Sequence, residues 1–322
     1  MWLLRYDLRG PTWGSATHAE LYAACLDQCA WADERDCSMI VLSEHHGVAD
    51  DGYLSAPMIV AAGIAGRTRK VQISIQALLL PLHDPLRVAE DVAALDLLSA
   101  GRVMLTMALG YRDEEFEMFG VDRRRRAPLL EEGVTAMLQA WTGEPFEYRG
   151  RTVQVTPRPM TQPHPMIFIG GSVPAGAKRA ARMRLPFMAA ADDQSLQDVY
   201  DAECQAVGFT GGFAVIPHSP TYVHIAEDPE KAWDLIGPHV LHDARSYDNW
   251  QTPDQHSAVH VDASSLDAVK SSGVYQVLTP DEAVEHAKQH HMIMLHPMVG
   301  GLAPEIGWES LELFSSKVLP RL

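Results

Sequence analysis

Along almost its whole length the sequence alternates short apolar or β-branched runs with amphipathic stretches long enough for three or four helical turns. That alternation constrains the fold more than any other feature. A parallel strand pair needs a long crossover connection, and a helix of this length supplies it. Runs such as residues 71–80, VQISIQALLL, lack a polar alternate, as expected of strands covered on both faces. About eight strand–helix units can be counted, and no shift in composition marks a boundary between them. The expected fold is a single α/β domain over residues 1–322, a (β/α)8 TIM barrel with insertions. A doubly wound open sheet is the alternative.

Local signals place the elements. Thr17 and Glu20 have capping-box spacing at the start of a helix over 17–35, and Pro57 fits the first turn of one over 56–67. A helix over 85–99 should stop before Gly101. Strands are expected over 2–8, 38–42, 102–108, 166–169, 185–189 and 292–295. Helices are expected over 127–141, 175–183, 195–207 and 308–318, and EYRGRTVQV reads as a hairpin. The chain from 211 to about 275 reads as an irregular insertion. Within it, residues 213–216 and 221–225 either pair or divide one strand, 229–236 is helical, and 242–263 has no clear period and is expected to be mobile. Tyr222, Trp233, Tyr247 and Trp250 of this region are candidate apolar walls of a substrate pocket.

Charge narrows the partners. With 26 basic and 42 acidic residues the net charge is −16, which disfavours nucleic acid and anionic membranes and favours a soluble enzyme acting on a small molecule. The apolar run 77–80 is far too short to cross a bilayer. Charges interrupt the N-terminal apolar stretch, so no signal peptide is expected. Cysteines at 25, 29, 37 and 204 form neither CxxC nor a pairing pattern, which points to a reducing, cytoplasmic setting.

Chemistry concentrates where apolar runs turn polar. In VLSEHHG, residues 41–47, a buried run gives way to Ser43, Glu44, His45 and His46 before Gly47. The C-terminal ends of parallel strands are where ligands bind and catalytic groups project. Neighbours on a strand face opposite ways, so His45 and His46 cannot easily share a metal; one should face the barrel mouth, suited to acid–base work. The turn Gly170-Gly171-Ser172-Val173-Pro174-Ala175-Gly176 links a strand to a helix, and its bare N–H groups make a candidate phosphate site. A tight turn needing glycine for its dihedrals is the alternative, and neither GxxxxGK[ST] nor GxGxxG is present. The spacings His286/His290 and His239/His242 lack a carboxylate motif and read as surface or packing residues, so no metal is expected. Arg123 to Arg126 place charge around several helix faces, to be solvated or paired with Glu114, Glu115 and Glu117. Met107, Met292, Met294 and Met298 read as core or pocket wall.

On these residues the chain resembles the bacterial luciferase-like monooxygenases, flavin-dependent (β/α)8 enzymes, over nearly its whole length. VLSEHHG looks like the family's strand-two segment; the resemblance implies that His45 assists flavin chemistry, with Glu44 beside the cofactor. QALLLPLHDPLRVAEDVAALDLLSAGR is similar to the family's strand three through helix three. It implies a non-proline cis peptide at Gln76–Ala77 against the flavin and matches Glu90 to the acid of the following helix. LGYRDEEFEMFG puts Ala108 and Leu109 beside the flavin, and GGSVPAGAKRAARMRLPF is similar to the phosphate loop, with Gly170, Gly171, Ser172 and Gly176 as its members. HPMVGGLAPEIGWESLELF looks like the closing strand and helix. One departure stands out: luciferase subunits carry arginine where this chain has Leu109, so a bidentate partner for the flavin phosphate is missing.

The resemblance implies a monooxygenase that uses reduced FMN, delivered by a separate flavin reductase, with O2 on a small organic substrate, and a homodimer formed through early helices. Its alternatives are an 8-hydroxy-5-deazaflavin-dependent hydride-transfer enzyme of the same fold and a non-enzymatic flavin-binding protein.

Overall fold

A computed structural model describes residues 1–217, 221–250 and 257–322. Its contacts divide the chain into two compact units, one of residues 1–55 with 218–322 and one of residues 56–217.

The first unit carries five parallel strands: β1 (Trp2–Tyr6), β2 (Met39–Leu42), β10 (Tyr222–Ile225), β11 (Tyr275–Leu278) and β12 (Ile293–Leu295). They lie in the order β11-β10-β12-β1-β2. Helix α1 (His18–Asp33) connects β1 to β2, and the expected capping box forms: the Glu20 N–H donates to Thr17 Oγ1, and the Thr17 N–H donates to Glu20 Oε2 at 2.8 Å. The same device, Thr279 with Glu282, opens α10 (Pro280–His290). A core of Tyr222, Trp233, Ile236, Val240, Ala244, Val269 and Leu302 packs behind the strands.

The second unit carries β3 (Gln72–Leu78), β4 (Val103–Met107), β7 (Met166–Gly171), β8 (Phe187–Ala189) and β9 (Ala214–Val215), parallel and in that spatial order. The hairpin of β5 (Phe146–Tyr148) and β6 (Arg151–Val153) turns through Arg149 and Gly150, both at positive φ, the geometry a two-residue hairpin loop requires. Crossovers are α2 (Pro57–Arg67), α3 (Pro85–Ser99), α4 (Asp113–Met118) with α5 (Arg126–Ala140), α6 (Pro174–Arg182) and α7 (Ser195–Ala206). Asp84 caps α3 by accepting from the Leu86 and Arg87 N–H groups, and Pro85 occupies its first turn. At its other end Ala100 already takes a left-handed φ of 56° one residue before Gly101 does the same.

The expected parallel α/β elements are all present; the larger differences lie between 211 and 278, and the closing helix begins at Pro304 where 308 is expected. Residues 213–216 and 221–225 are separate strands, since β9 pairs with β8 while β10 pairs with β11 and β12. The helix expected over 229–236 continues as α8 (Pro229–Trp250) for 22 residues, carrying Pro238 within it. Much of the tract expected to be irregular is therefore helical, and α9 (Leu266–Ser271) and β11 follow. Residues 251–256 of that tract lie outside the described residues. The period was masked because one position on the inward face of α8 is charged. Val240, Asp243, Ala244 and Tyr247 are buried at spacings 0, 3, 4 and 7, and Asp243 can be there because Arg9 and Tyr275 meet it. The closing helix α11 (Pro304–Leu313) runs into a wider turn, Phe314–Val318.

Candidate active site

In the first unit β2 delivers Ser43, Glu44, His45 and His46 at its C-terminal end, all four buried. The two histidines do separate. His46 Nε2 lies 3.0 Å from Glu44 Oε1. His45 turns into an aromatic cage: its ring stands edge-on to Tyr53 at 90° with centroids 4.8 Å apart, and tilted against Trp250, also at 4.8 Å. Tyr247 is 6.2 Å away. The Tyr53 and Tyr247 hydroxyls are 2.6 Å apart, and Arg5 Nη2 donates to the Tyr247 hydroxyl at 2.9 Å. Burial holds both phenols above their usual pKa, so they are neutral hydrogen-bonding groups.

Behind the cage a buried ionic network fixes the loop after β1. Arg9, fully buried, donates Nε to Asp51 at 2.5 Å, Nη1 to Asp243 at 2.7 Å and Nη2 to the Ser246 hydroxyl at 2.5 Å. His242 Nε2 lies 2.8 Å from Asp51, and the Tyr275 hydroxyl donates to Asp243 at 2.6 Å. Burial alone would lower the Arg9 pKa, but Asp243, Asp51 and Asp7 outweigh it, and the guanidinium stays charged. Asp7 sits 3.5 Å from His296; burial pushes its pKa up, yet His296, Arg9 and Arg5 together bring it down to about 2. On β10, burial draws His224 down to about 4, so this imidazole is neutral. Of the four aromatics proposed as pocket walls, Tyr247 and Trp250 surround His45. Tyr222 lies under Arg5, with 5.2 Å from ring centroid to guanidinium, and Trp233 belongs to the core under Lys270. Arg9, Asp51 and Asp243 are not among the residues the sequence singles out, and no local signal marks them, since each reads as a surface residue until its partners are known.

In the second unit the cofactor candidates gather at the C-terminal ends of β3, β4 and β7. The Gln76–Ala77 peptide is cis, as the resemblance implies, and the β3–β4 register slips between Gln76 and Leu78. The Ala108 N–H donates to the Leu78 carbonyl at 2.9 Å, so Ala108 and Leu109 follow directly beside that bond. Gly170 adjoins them: a Cβ there would lie 2.9 Å from Thr106 Cγ2 and 3.6 Å from Ala108 Cβ. Gly171 and Gly176 meet face to face, each Cβ position 3.2 Å from the other's Cα, so the strand end and the first turn of α6 touch through bare backbone. The Gly176 N–H already donates to the Val173 carbonyl at 2.9 Å; its contribution is the missing side chain, not a free donor. Ser172 is half-buried, and among the described residues its hydroxyl has no hydrogen-bond partner. A side-chain-free cradle, a free hydroxyl and a helix N-terminus fit a phosphate group.

Glu90 does not join this group. It lies outside the buried face of α3, its side chain 45% exposed, with Arg87 3.3 Å away. His286 and His290 pack ring to ring on α10, 4.5 Å apart, and Arg123 pairs with Asp113 at 3.1 Å. A cavity of about 660 Å3 between α5 and α6 is lined by helix side chains such as Thr135, Leu138, Lys178 and Arg182, none from a strand end.

A family model described as luciferase-like monooxygenase matches residues 9–292. The chain belongs to that family. It is 27% identical over 165 residues to the oxygenase component of flavin-dependent trigonelline monooxygenase from Acinetobacter baylyi, covering 49% of this chain and 45% of the relative. The chain spans about half the length of the curated relatives it matches. Among solved structures, monooxygenase RslO1 from Streptomyces bottropensis superposes with a TM-score of 0.78 at 23% identity, over 99% of this chain and 98% of the other. The oxygenating constituent of 3,6-diketocamphane monooxygenase from Pseudomonas putida, solved with FMN, gives 0.66 at 18% identity and 96% coverage of both. These likenesses show the luciferase-like α/β barrel fold read from the sequence. Among the described residues, no helix is long and apolar enough to cross a membrane.

Proposed function

We propose that the protein is the oxygenase component of a two-component flavin-dependent monooxygenase, using reduced FMN from a separate reductase and O2 to oxygenate a small organic substrate. The observation that carries this reading is the cradle at Gly170, Gly171, Ser172 and Gly176, joined through Gly170 to Ala108 and the end of β4. It suits a phosphate-bearing cofactor with a flat ring laid along backbone, and FMN is such a group. Ser172 and the first turn of α6 would hold the phosphate, and Gln76, Ala77, Ala108 and Leu109 would line the ring. When bound, reduced FMN supplies the two electrons that place one atom of O2 in the substrate and release the other as water.

His45 holds or moves a proton on its imidazole nitrogen while oxygen is being transferred, and Glu44 with His46 closes the strand end beside it. The buried rings of Tyr53 and Tyr247 keep water from that side of the imidazole. The assembly we propose is a homodimer through the outer faces of α2 and α3, where Ile59, Leu97 and Leu98 are exposed. Four free, buried cysteines agree with a cytoplasmic setting.

The test is His45→Ala, read as O2-dependent reoxidation of bound reduced FMN. We expect the rate to change at least tenfold while reduced FMN binds within about twofold of wild type. An unchanged rate would make His45 a packing residue.

A further inference from the structure

Helix α8 reaches His45 with its last two turns, and those turns are tied by side-chain hydrogen bonds to the loop after β1. Asp243 and Ser246 both accept from Arg9. One helical turn further on, at i+4 from each, stand Tyr247 and Trp250. The Arg9 guanidinium carbon is 5.2 Å from the Tyr53 ring centroid and 5.6 Å from that of Trp250, two rings packed against the imidazole. Tyr53 is tied in turn to Tyr247, and Tyr247 to Arg5. Tyr53, Tyr247 and Trp250 are thus each held by a second contact, directly or through one hydroxyl, to an arginine from β1 or the loop after it.

We propose that the C-terminal half of α8 is a positioning element for His45, in which Tyr247 and Trp250 fix the orientation of the imidazole and Arg9 fixes that half of the helix. The geometry requires this of the rings. With Tyr53 perpendicular on one side and Trp250 tilted at 48° on another, rotating the imidazole about its Cβ–Cγ bond drives its edge into one of them. The two ring nitrogens of His45 therefore keep fixed directions before substrate arrives, which is where an acid–base group gains most from a rigid surround. The proposal rests on the reading of His45 as the acid–base group. Among the described residues, the charged and titratable side chains around the cage include Arg5, Asp7, Arg9, Asp51, Tyr53, Tyr222, His242, Asp243 and Tyr247, with Glu44 and His46 adjacent in sequence.

The experiment uses the chain of residues 1–322, labelled at histidine, with the His45 imidazole signals assigned by their loss in His45→Gln. Trp250→Leu, Trp250→Phe and Tyr247→Phe are compared by those signals and by reoxidation of bound reduced FMN. We expect Trp250→Leu to move the His45 signals, leave those of His286 and His290 in place, and change the reoxidation rate about tenfold. Trp250→Phe should restore most of both, since a flat ring is what the site needs. Tyr247→Phe, which keeps the ring and removes only the hydroxyl shared with Tyr53 and Arg5, should have a smaller effect in the same direction. Unmoved His45 signals in a natively folded Trp250→Leu protein would overturn the proposal. If the signals move but neither Trp250→Leu nor His45→Gln alters reoxidation, the acid–base reading of His45 fails, and the positioning role fails with it.

Discussion

His224 gives a prediction whose size follows from the structure. It lies on β10, 6% exposed, and it borders a small cavity with Tyr222, Tyr275 and His296. Its Nδ1 has no hydrogen-bond partner among the described residues. In the unfolded chain its imidazole titrates near 6.5, and in the fold burial brings this down to about 4. Between those values the unfolded state binds a proton that the folded state refuses, so stability rises with pH across the window and is lost as pH falls through it. The full difference corresponds to about 3 kcal/mol, of which about 2.5 kcal/mol is already lost by roughly pH 4.5. His224→Phe removes the titration and keeps an apolar ring in the space. Urea unfolding of both proteins at a series of pH values isolates the term, because every other titrating group is common to the two. The variant should gain on wild type by about 2.5 kcal/mol between about pH 7.5 and about pH 4.5. Parallel stability curves over that range would refute the argument, since His224 would then accept its proton equally in both states.

Two further substitutions probe the parts of the two units that the proposed function relies on. Gly176→Ala puts a methyl group 3.2 Å from Gly171 Cα, and backbone on both sides can yield only by opening the loop; FMN affinity should fall about tenfold while riboflavin, which lacks the phosphate, changes little, as fluorescence titration would show. Arg9→Met leaves Asp51 and Asp243 buried without their shared cation, so we expect a loss of about 3–5 kcal/mol in chemical denaturation.

Much of this architecture is legible in the sequence because local and long-range preferences agree. Thr17, Glu20, Asp84, Pro85, Thr279 and Glu282 mark helix starts by the same chemistry that satisfies their backbone donors in the fold. The Gly170 to Gly176 turn is legible for a related reason, although its glycines prove to be needed as much for close approach as for donation. What is not legible is any burial of charge. Arg9, Asp51 and Asp243 come from positions up to 234 residues apart, and each looks like a surface residue until its partners are known. The same blindness hid the second half of α8, where Asp243 interrupts the apolar face. Glu90 differs in kind: the family match singles it out, while in the fold it lies off the buried face of α3 beside Arg87. Leu109 is a case where the departure from the family pattern was visible and its consequence depends on what else holds the phosphate.

That consequence makes cofactor choice the most direct test. Cofactor-free protein would be titrated anaerobically with reduced FMN and, separately, with reduced 8-hydroxy-5-deazaflavin, and O2 would then be admitted to each complex. Tight binding of reduced FMN, followed by O2-dependent flavin oxidation at a rate different from that of free flavin, is the predicted result. Tight binding of the deazaflavin alone, inert to O2, would contradict the monooxygenase account and turn the same barrel into a hydride-transfer enzyme.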